Sequence, residues 1–161
     1  MNHSISISSS LSKEEKYKSL LLQIKSLVED ETDLIANLSN ICAVLKYNMD
    51  DFFWVGFYFV KDNELVVGPY QGPIACTRIN INTGVCGTAV RENKTIIVDD
   101  VNKFLGHIAC STDSKSEIVV PLYKSQSVYG VLDIDSDKYA NFDDIDKEYL
   151  EQLAEIISEL I

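Results

Sequence analysis

Phe52-Phe53-Trp54-Val55-Gly56-Phe57-Tyr58-Phe59-Val60 is where the chain changes period. Aromatic and β-branched side chains, broken only by Gly56, read as a strand. The turn signal Lys61-Asp62-Asn63-Glu64 closes it, and Leu65-Val66-Val67 answers it as the second arm of a hairpin. Upstream the spacing is helical. Ser12-Lys13-Glu14-Glu15 forms a capping box, followed by Tyr17, Leu20, Leu21, Ile24, Leu27 and Val28 on one stripe. A second helix opens near Thr32, with Leu34, Ile35, Leu38, Ile41, Cys42 and Leu45 inward. Downstream, strands are expected over 75–81, 95–98, 117–122 and 128–135, with a short glycine-opened helix over 84–93. A last helix carries Phe142, Ile145, Tyr149, Leu153, Ile156 and Ile157 behind Asp143 and Asp144, acidic residues favoured at a helix start. Two helices, a meander of about six strands, and a closing helix make an α+β fold, an antiparallel sheet with the N- and C-terminal helices on one side.

A chain of 161 residues, 46% hydrophobic, supports one domain and is short for two. Residues 1–11 read as a disordered serine-rich tail and 12–161 as the domain. The formal charge of −11 opposes binding to nucleic acid or to an anionic membrane. No apolar run reaches the roughly 20 residues that span a bilayer, and the first ten residues lack the basic and apolar regions of a signal peptide. A cytoplasmic location is expected, in which the four cysteines rest as thiols. Cys42 lies on a helical apolar stripe and reads as a core residue. The other three, Cys76, Cys86 and Cys110, lie in loop-like or glycine-flanked settings, which points to redox chemistry or a metal site. The segment 101–115 is longer than most structureless loops in compact domains and carries Cys110.

Alternation along strands groups further candidates. In 128–135, Asp133 and Asp135 share the face opposite Leu132 and Ile134; in the first strand, Trp54 and Tyr58 share a face with Gly56 between them. Glu117 lies opposite Ile118, Val120 and Leu122. Three carboxylates and two aromatics could therefore form one pocket beside the thiols. Taken singly, each has a plainer reading. Asp133 and Asp135 would be a solvated approach to a turn, Trp54 a core aromatic, and His107 a loop histidine. A zinc site from Cys76, Cys86, Cys110 and His107 is disfavoured, because the cysteines lie ten and 24 residues apart and form no close knuckle. No metal is expected.

Taken jointly, 53–58 (Phe-Trp-Val-Gly-Phe-Tyr), 68–72 (Gly-Pro-Tyr-Gln-Gly), 74–76 (Ile-Ala-Cys), 84–89 (Gly-Val-Cys-Gly-Thr-Ala), 106–110 (Gly-His-Ile-Ala-Cys), 116–121 (Ser-Glu-Ile-Val-Val-Pro) and 130–136 (Gly-Val-Leu-Asp-Ile-Asp-Ser) resemble the free methionine-(R)-sulfoxide reductases, which are single GAF domains. The resemblance covers about residues 15 to 160. It departs at Tyr70, usually Phe, at Val98-Asp99, where Val-Pro is expected, and at Ser111, where Asp commonly follows the loop cysteine.

That resemblance implies reduction of free L-methionine (R)-S-oxide to L-methionine with thioredoxin as external reductant and no bound cofactor. It implies Cys110 as nucleophile, Cys76 as its resolving partner, and Cys86 as an alternative in either role. Trp54 would pack on the substrate methyl group, with Tyr58, Ile108 and Ala109 also lining the substrate site; Glu117, Asp133 and Asp135 would read the sulfoxide and the ammonium. A homodimer through the N-terminal helices is implied as well. The residues suit the chemistry: a thiolate attacks the sulfoxide sulfur, the sulfenic acid left behind condenses with a second thiol, and an external dithiol reduces the disulfide. Crowded carboxylates favour holding one proton, and Glu117, alone on its strand, is the expected donor. The rival expectation is a non-catalytic GAF module that senses a small molecule or redox state. Sensors are ordinarily fused to an output domain, for which residues 1–161 leave no room.

Overall fold

The computed structural model describes residue 5, residues 7–106 and residues 112–161. Helices α1 (Lys13–Val28) and α2 (Leu34–Asn48) precede strands β1 (Trp54–Lys61), β2 (Glu64–Gln71) and β3 (Arg78–Asn80). Helix α3 (Gly84–Glu92), strand β4 (Ile96–Val98), a 3-10 turn (Val101–Lys103), strands β5 (Ser116–Lys124) and β6 (Ser127–Ser136), and helix α4 (Asp144–Ser158) complete the order. The six strands run β3-β2-β1-β6-β5-β4, with every neighbouring pair antiparallel. The α+β expectation holds. Chain order places β1 beside β6, so the first and last strands form the centre of the sheet.

The two faces carry separate cores because alternate residues point to opposite sides. Val55, Phe57, Ile118, Val120, Leu132 and Ile134 pack with Leu20, Ile24, Leu38, Ile41, Leu45, Leu150 and Leu153 of the three long helices. Cys42 lies in this core, fully buried, as its helical stripe predicts. Trp54, Tyr58, Val119 and Val131 point the other way and meet Val85, Cys86 and Ala89 of α3. The short helix thus covers the second face.

Local signals explain the element starts. The Ser12 capping box is formed as expected, with Ser12 and Glu15 each accepting from the other's backbone N–H. Asp143 caps α4 in the same reciprocal way with Asp146. Asp146 is buried, accepting the Tyr17 hydroxyl at 2.7 Å and the Lys13 ammonium at 2.6 Å, which ties α1 to α4. Ile5 and Ile7 pack on the helical core, and the Ile7 N–H donates to Asn48 Oδ1 at 3.2 Å.

Three sequence expectations differ from the structure. The strand over 75–81 is confined to Arg78–Asn80; Pro73 lacks an N–H, Gly72 takes φ 145°, and the Cys76 carbonyl accepts from the Tyr58 side chain rather than a strand. Ile35 and Ile145, expected on buried stripes, are 55% and 37% exposed. The α4 stripe is centred instead on Asp146, Tyr149, Leu150, Leu153, Ala154 and Ile157, so Ile145 falls at its edge. The 101–115 segment opens with a 3-10 turn capped by the Asp100 side chain. Among the described residues, no helix is long and apolar enough to cross a membrane.

Candidate active site

Register across the three central strands assembles the site. Trp54 of β1 pairs with Asp135 of β6, which pairs with Glu117 of β5; one row on, Gly56 pairs with Asp133 and Asp133 with Val119. All five side-chain-bearing positions face α3. The three carboxylates and two aromatics grouped from alternation alone therefore do share one face.

The aromatic wall depends on a glycine. Trp54 lies between Tyr58 and Tyr70, with ring centroids 5.9 and 5.3 Å away in stacked geometry. A Cβ at Gly56 would come within 2.3 Å of the indole and 2.4 Å of the Tyr70 Cβ. Glycine is the residue that lets the indole lie flat across the strand. Trp54 Nε1 donates to the Pro73 carbonyl at 3.1 Å, and the Tyr58 hydroxyl donates to the Cys76 carbonyl at 3.0 Å. The aromatic wall thereby fixes the backbone that carries Cys76. Trp54 is 5% exposed, so it is a core residue and a pocket wall together.

Helix α3 supplies the ceiling. Gly84 opens it at φ 69°, its N–H donating to the Gly106 carbonyl at 3.0 Å, and a Cβ at Gly87 would meet the Ile81 carbonyl oxygen at 2.6 Å. That close approach sets Cys86 against the sheet, its Sγ 3.9 Å from Glu117 Oε1. One donor atom each from Cys86, Glu117 and Asp133 lie within 4.8 Å of one another. Cys86 is a buried free thiol. Cys76 is disulfide-bonded.

Such crowding of acids without a cation has an electrostatic consequence. None of the salt bridges among the described residues reaches Glu117, Asp133 or Asp135. Burial, followed by the charges of Asp133 and Asp135, pushes the Glu117 carboxyl well above the usual range. Burial and the Asp135 charge do the same to Asp133. Asp135, half-buried, is raised by desolvation but accepts a hydrogen bond from the Ser114 hydroxyl, and it rises only to about 6. Within the cluster Glu117 and Asp133 therefore hold their protons more tightly than Asp135 does. Burial and the same carboxylates push the Cys86 thiol up, away from the thiolate form. Cys42, in the opposite core, rises to about 12 by burial.

The reading of Asp133 and Asp135 as a solvated turn approach is replaced by an inner-face position in which Asp133 is buried and Asp135 half-buried. Cys110, His107, Ile108 and Ala109 lie outside the described residues. A zinc set of three cysteines and His107 is at odds with the disulfide state of Cys76. Sequence reasoning missed Ser114, whose contact spans 21 residues and has no periodic signal, and Tyr70, which completes the stack.

Similarity to known proteins agrees with this geometry. The GAF domain family model matches residues 29–161. GAF domain-containing protein A of Dictyostelium discoideum is 58% identical over 147 residues, 91% of this chain and 92% of that protein. The free methionine-R-sulfoxide reductase of Escherichia coli K12 is 46% identical over 143 residues, 89% of this chain and 87% of that enzyme. A crystal structure of free methionine-R-sulfoxide reductase from Neisseria meningitidis in complex with its substrate is 48% identical and superposes with a TM-score of 0.93, over 97% of this chain and 94% of that one.

Proposed function

This chain belongs to the GAF domain family, and from that premise we propose that it is an oxidoreductase reducing free L-methionine (R)-S-oxide to L-methionine. One observation carries the reading: an acidic inner face, with no ion pair from the described residues, where Glu117 and Asp133 hold their protons more tightly than Asp135 beside the Trp54 wall. A free amino acid brings what such a face needs. Its ammonium supplies the missing positive charge to Asp135, its methyl group packs on the indole of Trp54 above Tyr58, and its sulfoxide oxygen takes the proton held by Glu117. Near-full-length similarity to enzymes bearing this activity supports the same reading.

In the proposed cycle the Cys110 thiolate attacks the sulfoxide sulfur. The sulfoxide oxygen is protonated and passes to the Cys110 sulfur, methionine leaves, and Cys110 becomes a sulfenic acid. The Cys76 thiol displaces water from that sulfenic acid, giving a Cys76–Cys110 disulfide. A thioredoxin dithiol reduces the disulfide, so each turn converts one sulfoxide and one dithiol into methionine, water and one external disulfide. The role of Cys110 rests on the resemblance, with Ile108 and Ala109 beside it in the substrate loop. Cys76 as resolver is supported by its disulfide, while Cys42 and Cys86 remain thiols. Cys86 is buried, with its thiol proton held, so its part is to hydrogen-bond Glu117 rather than to exchange disulfides.

The proposed setting is the cytoplasm, where thioredoxin keeps the cycle running. A homodimer through the N-terminal helices is supported by exposed Leu22 and Ile35 and by Tyr47, on α1 and α2. The test is NADPH consumption by thioredoxin and its reductase when methionine sulfoxide is added to the purified protein. Oxidation should proceed with the free (R) epimer and stop after it is exhausted. No turnover with either epimer would return the protein to a sensing role.

A further inference from the structure

The Cys86, Glu117 and Asp133 side chains converge from α3, β5 and β6, three elements fixed by the sheet register and by the close approach at Gly87. Their donor atoms lie within 4.8 Å of one another, and all three residues are buried. Asp133 Oδ1 has no hydrogen-bond partner, although it is shielded from water. An unpartnered buried carboxylate oxygen carries a desolvation penalty of about 1–3 kcal/mol, more when charged, and a ligand reaching it would relieve that.

The donor set selects the kind of ligand. One sulfur and two carboxylates suit a borderline-soft divalent cation. Calcium requires six to eight oxygens, and magnesium retains several waters, neither of which this dry face offers. Around tetrahedral zinc, bonds of about 2.0–2.3 Å place donors roughly 3.5 Å apart. The Cys86 Sγ to Glu117 Oε1 separation of 3.9 Å needs little contraction to meet that. Three protein ligands leave the fourth position for water.

We propose that Cys86, Glu117 and Asp133 form a binding site for a thiophilic divalent cation, zinc or cadmium, and that this cation and the substrate exclude each other at Glu117. The exclusion rests on the proposed function, because it requires the substrate sulfoxide to reach Glu117; the binding itself does not. Entry of the ion releases the thiol and carboxyl protons to solvent, so it binds as a competitor of protons as well as of substrate. Once ligated, Glu117 has no proton to give and the ion fills the space over it, so the sulfoxide oxygen of the proposed substrate cannot dock there while the ion is bound.

The oxidised full-length protein is the right material, since Cys76 is already committed to its disulfide and the free thiols of the described chain are Cys42 and Cys86. Cadmium chloride is titrated in while the ultraviolet cadmium–thiolate charge-transfer absorption is read, with circular dichroism as a folding check. The expected result is saturation at one ion per chain in wild type and in Cys42→Ser, no band in Cys86→Ser, and at least about tenfold weaker binding in Glu117→Gln and Asp133→Asn, since even outer-shell partners of metals carry effects of that size. A band absent from wild type, retained in Cys86→Ser, or lost in Cys42→Ser overturns the site. If Cys86→Ser does not fold, unchanged affinity in folded Glu117→Gln overturns it equally. Adding excess free methionine (R)-sulfoxide, with no reductant present, should displace cadmium; failure to displace it overturns the exclusion. The NADPH assay, run with a chelator present, reports separately on the reaction.

Discussion

Replacing Asp135 by Asn should stabilise the fold while removing most of the activity. The carboxylate titrates near 6 in the folded protein against an ordinary value of 3.8, because burial disfavours its charge more than the Ser114 hydroxyl offsets this. Between those two pH values the folded chain binds more protons at this residue than the unfolded chain does. Stability therefore falls as pH rises through that window, and the whole penalty is present above about 6. A displacement of roughly two units corresponds to about 3 kcal/mol at pH 8, with about half of that already felt at pH 5. Asn keeps the oxygen that accepts from Ser114 and carries no charge. Removing the Asp135 charge also eases Glu117 and Asp133, both of which it pushes upward.

Urea unfolding of wild type and Asp135→Asn at pH 5 and pH 8 measures this directly. The variant should gain about 2–3 kcal/mol at pH 8 and about half as much at pH 5, while kcat/KM for the free sulfoxide falls at least about a hundredfold through loss of the ammonium partner. A variant less stable than wild type at pH 8, or one whose stability difference does not change with pH, would refute the claim that Asp135 is held ionised against its preference.

Cys110→Ser should abolish turnover and leave the circular dichroism unchanged; appreciable residual reduction in the thioredoxin-coupled assay removes Cys110 from the nucleophile role. Without reductant, one methionine per chain should form together with a Cys76–Cys110 bridge, and non-reducing peptide mapping that found mainly Cys86–Cys110 would reassign the resolver. Gly56→Ala should cost about 1–3 kcal/mol and disturb the Trp54 fluorescence, since its Cβ would sit 2.3 Å from the indole; wild-type stability and emission would count against the stacked wall. N-acetylmethionine (R)-sulfoxide should be at least about a hundredfold poorer than the free amino acid in kcat/KM, and equal values would mean that the acidic face does not read the ammonium.

The sheet was legible because its information is local. Alternation along 52–60 and 128–135 assigns Trp54, Tyr58, Asp133 and Asp135 to one face without any knowledge of pairing, and the β1–β6 register then brings those faces together. Cys42 was legible as core for the same kind of reason, a helical stripe. Burial of the carboxylates was not, since an acidic pair near a strand end is ordinarily solvated, and here α3 and the Trp54 wall close over it. Ser114 escaped notice because a single long-range hydrogen bond leaves no pattern in the chain. The strand expected over 75–81 was shortened by a tertiary contact, the Tyr58 hydroxyl taking the Cys76 carbonyl.

The proton inventory links affinity to chemistry. Three carboxylates and a thiol on one face resist ionising together, and Asp135 gives up its proton most readily because Ser114 donates to it. The groups that stay protonated are then donors in a dry site, which is what reduction of a sulfoxide oxygen requires. On the proposed reading, an ammonium docked on Asp135 acts on Glu117 and Asp133 as well, lowering the cost of ionising either one. Substrate arrival therefore makes the cluster more acidic at the moment a proton is needed. An N-acetylated or peptide-bound sulfoxide, bringing no such charge, would find Glu117 holding its proton too tightly to give it up. On this account Glu117→Gln should lower kcat far more than it raises KM, because the ammonium contact at Asp135 survives while the proton does not, whereas Asp135→Asn should affect both. Glu117→Gln with unchanged kcat would place the proton donor elsewhere, and Asp133 would be the next residue to test.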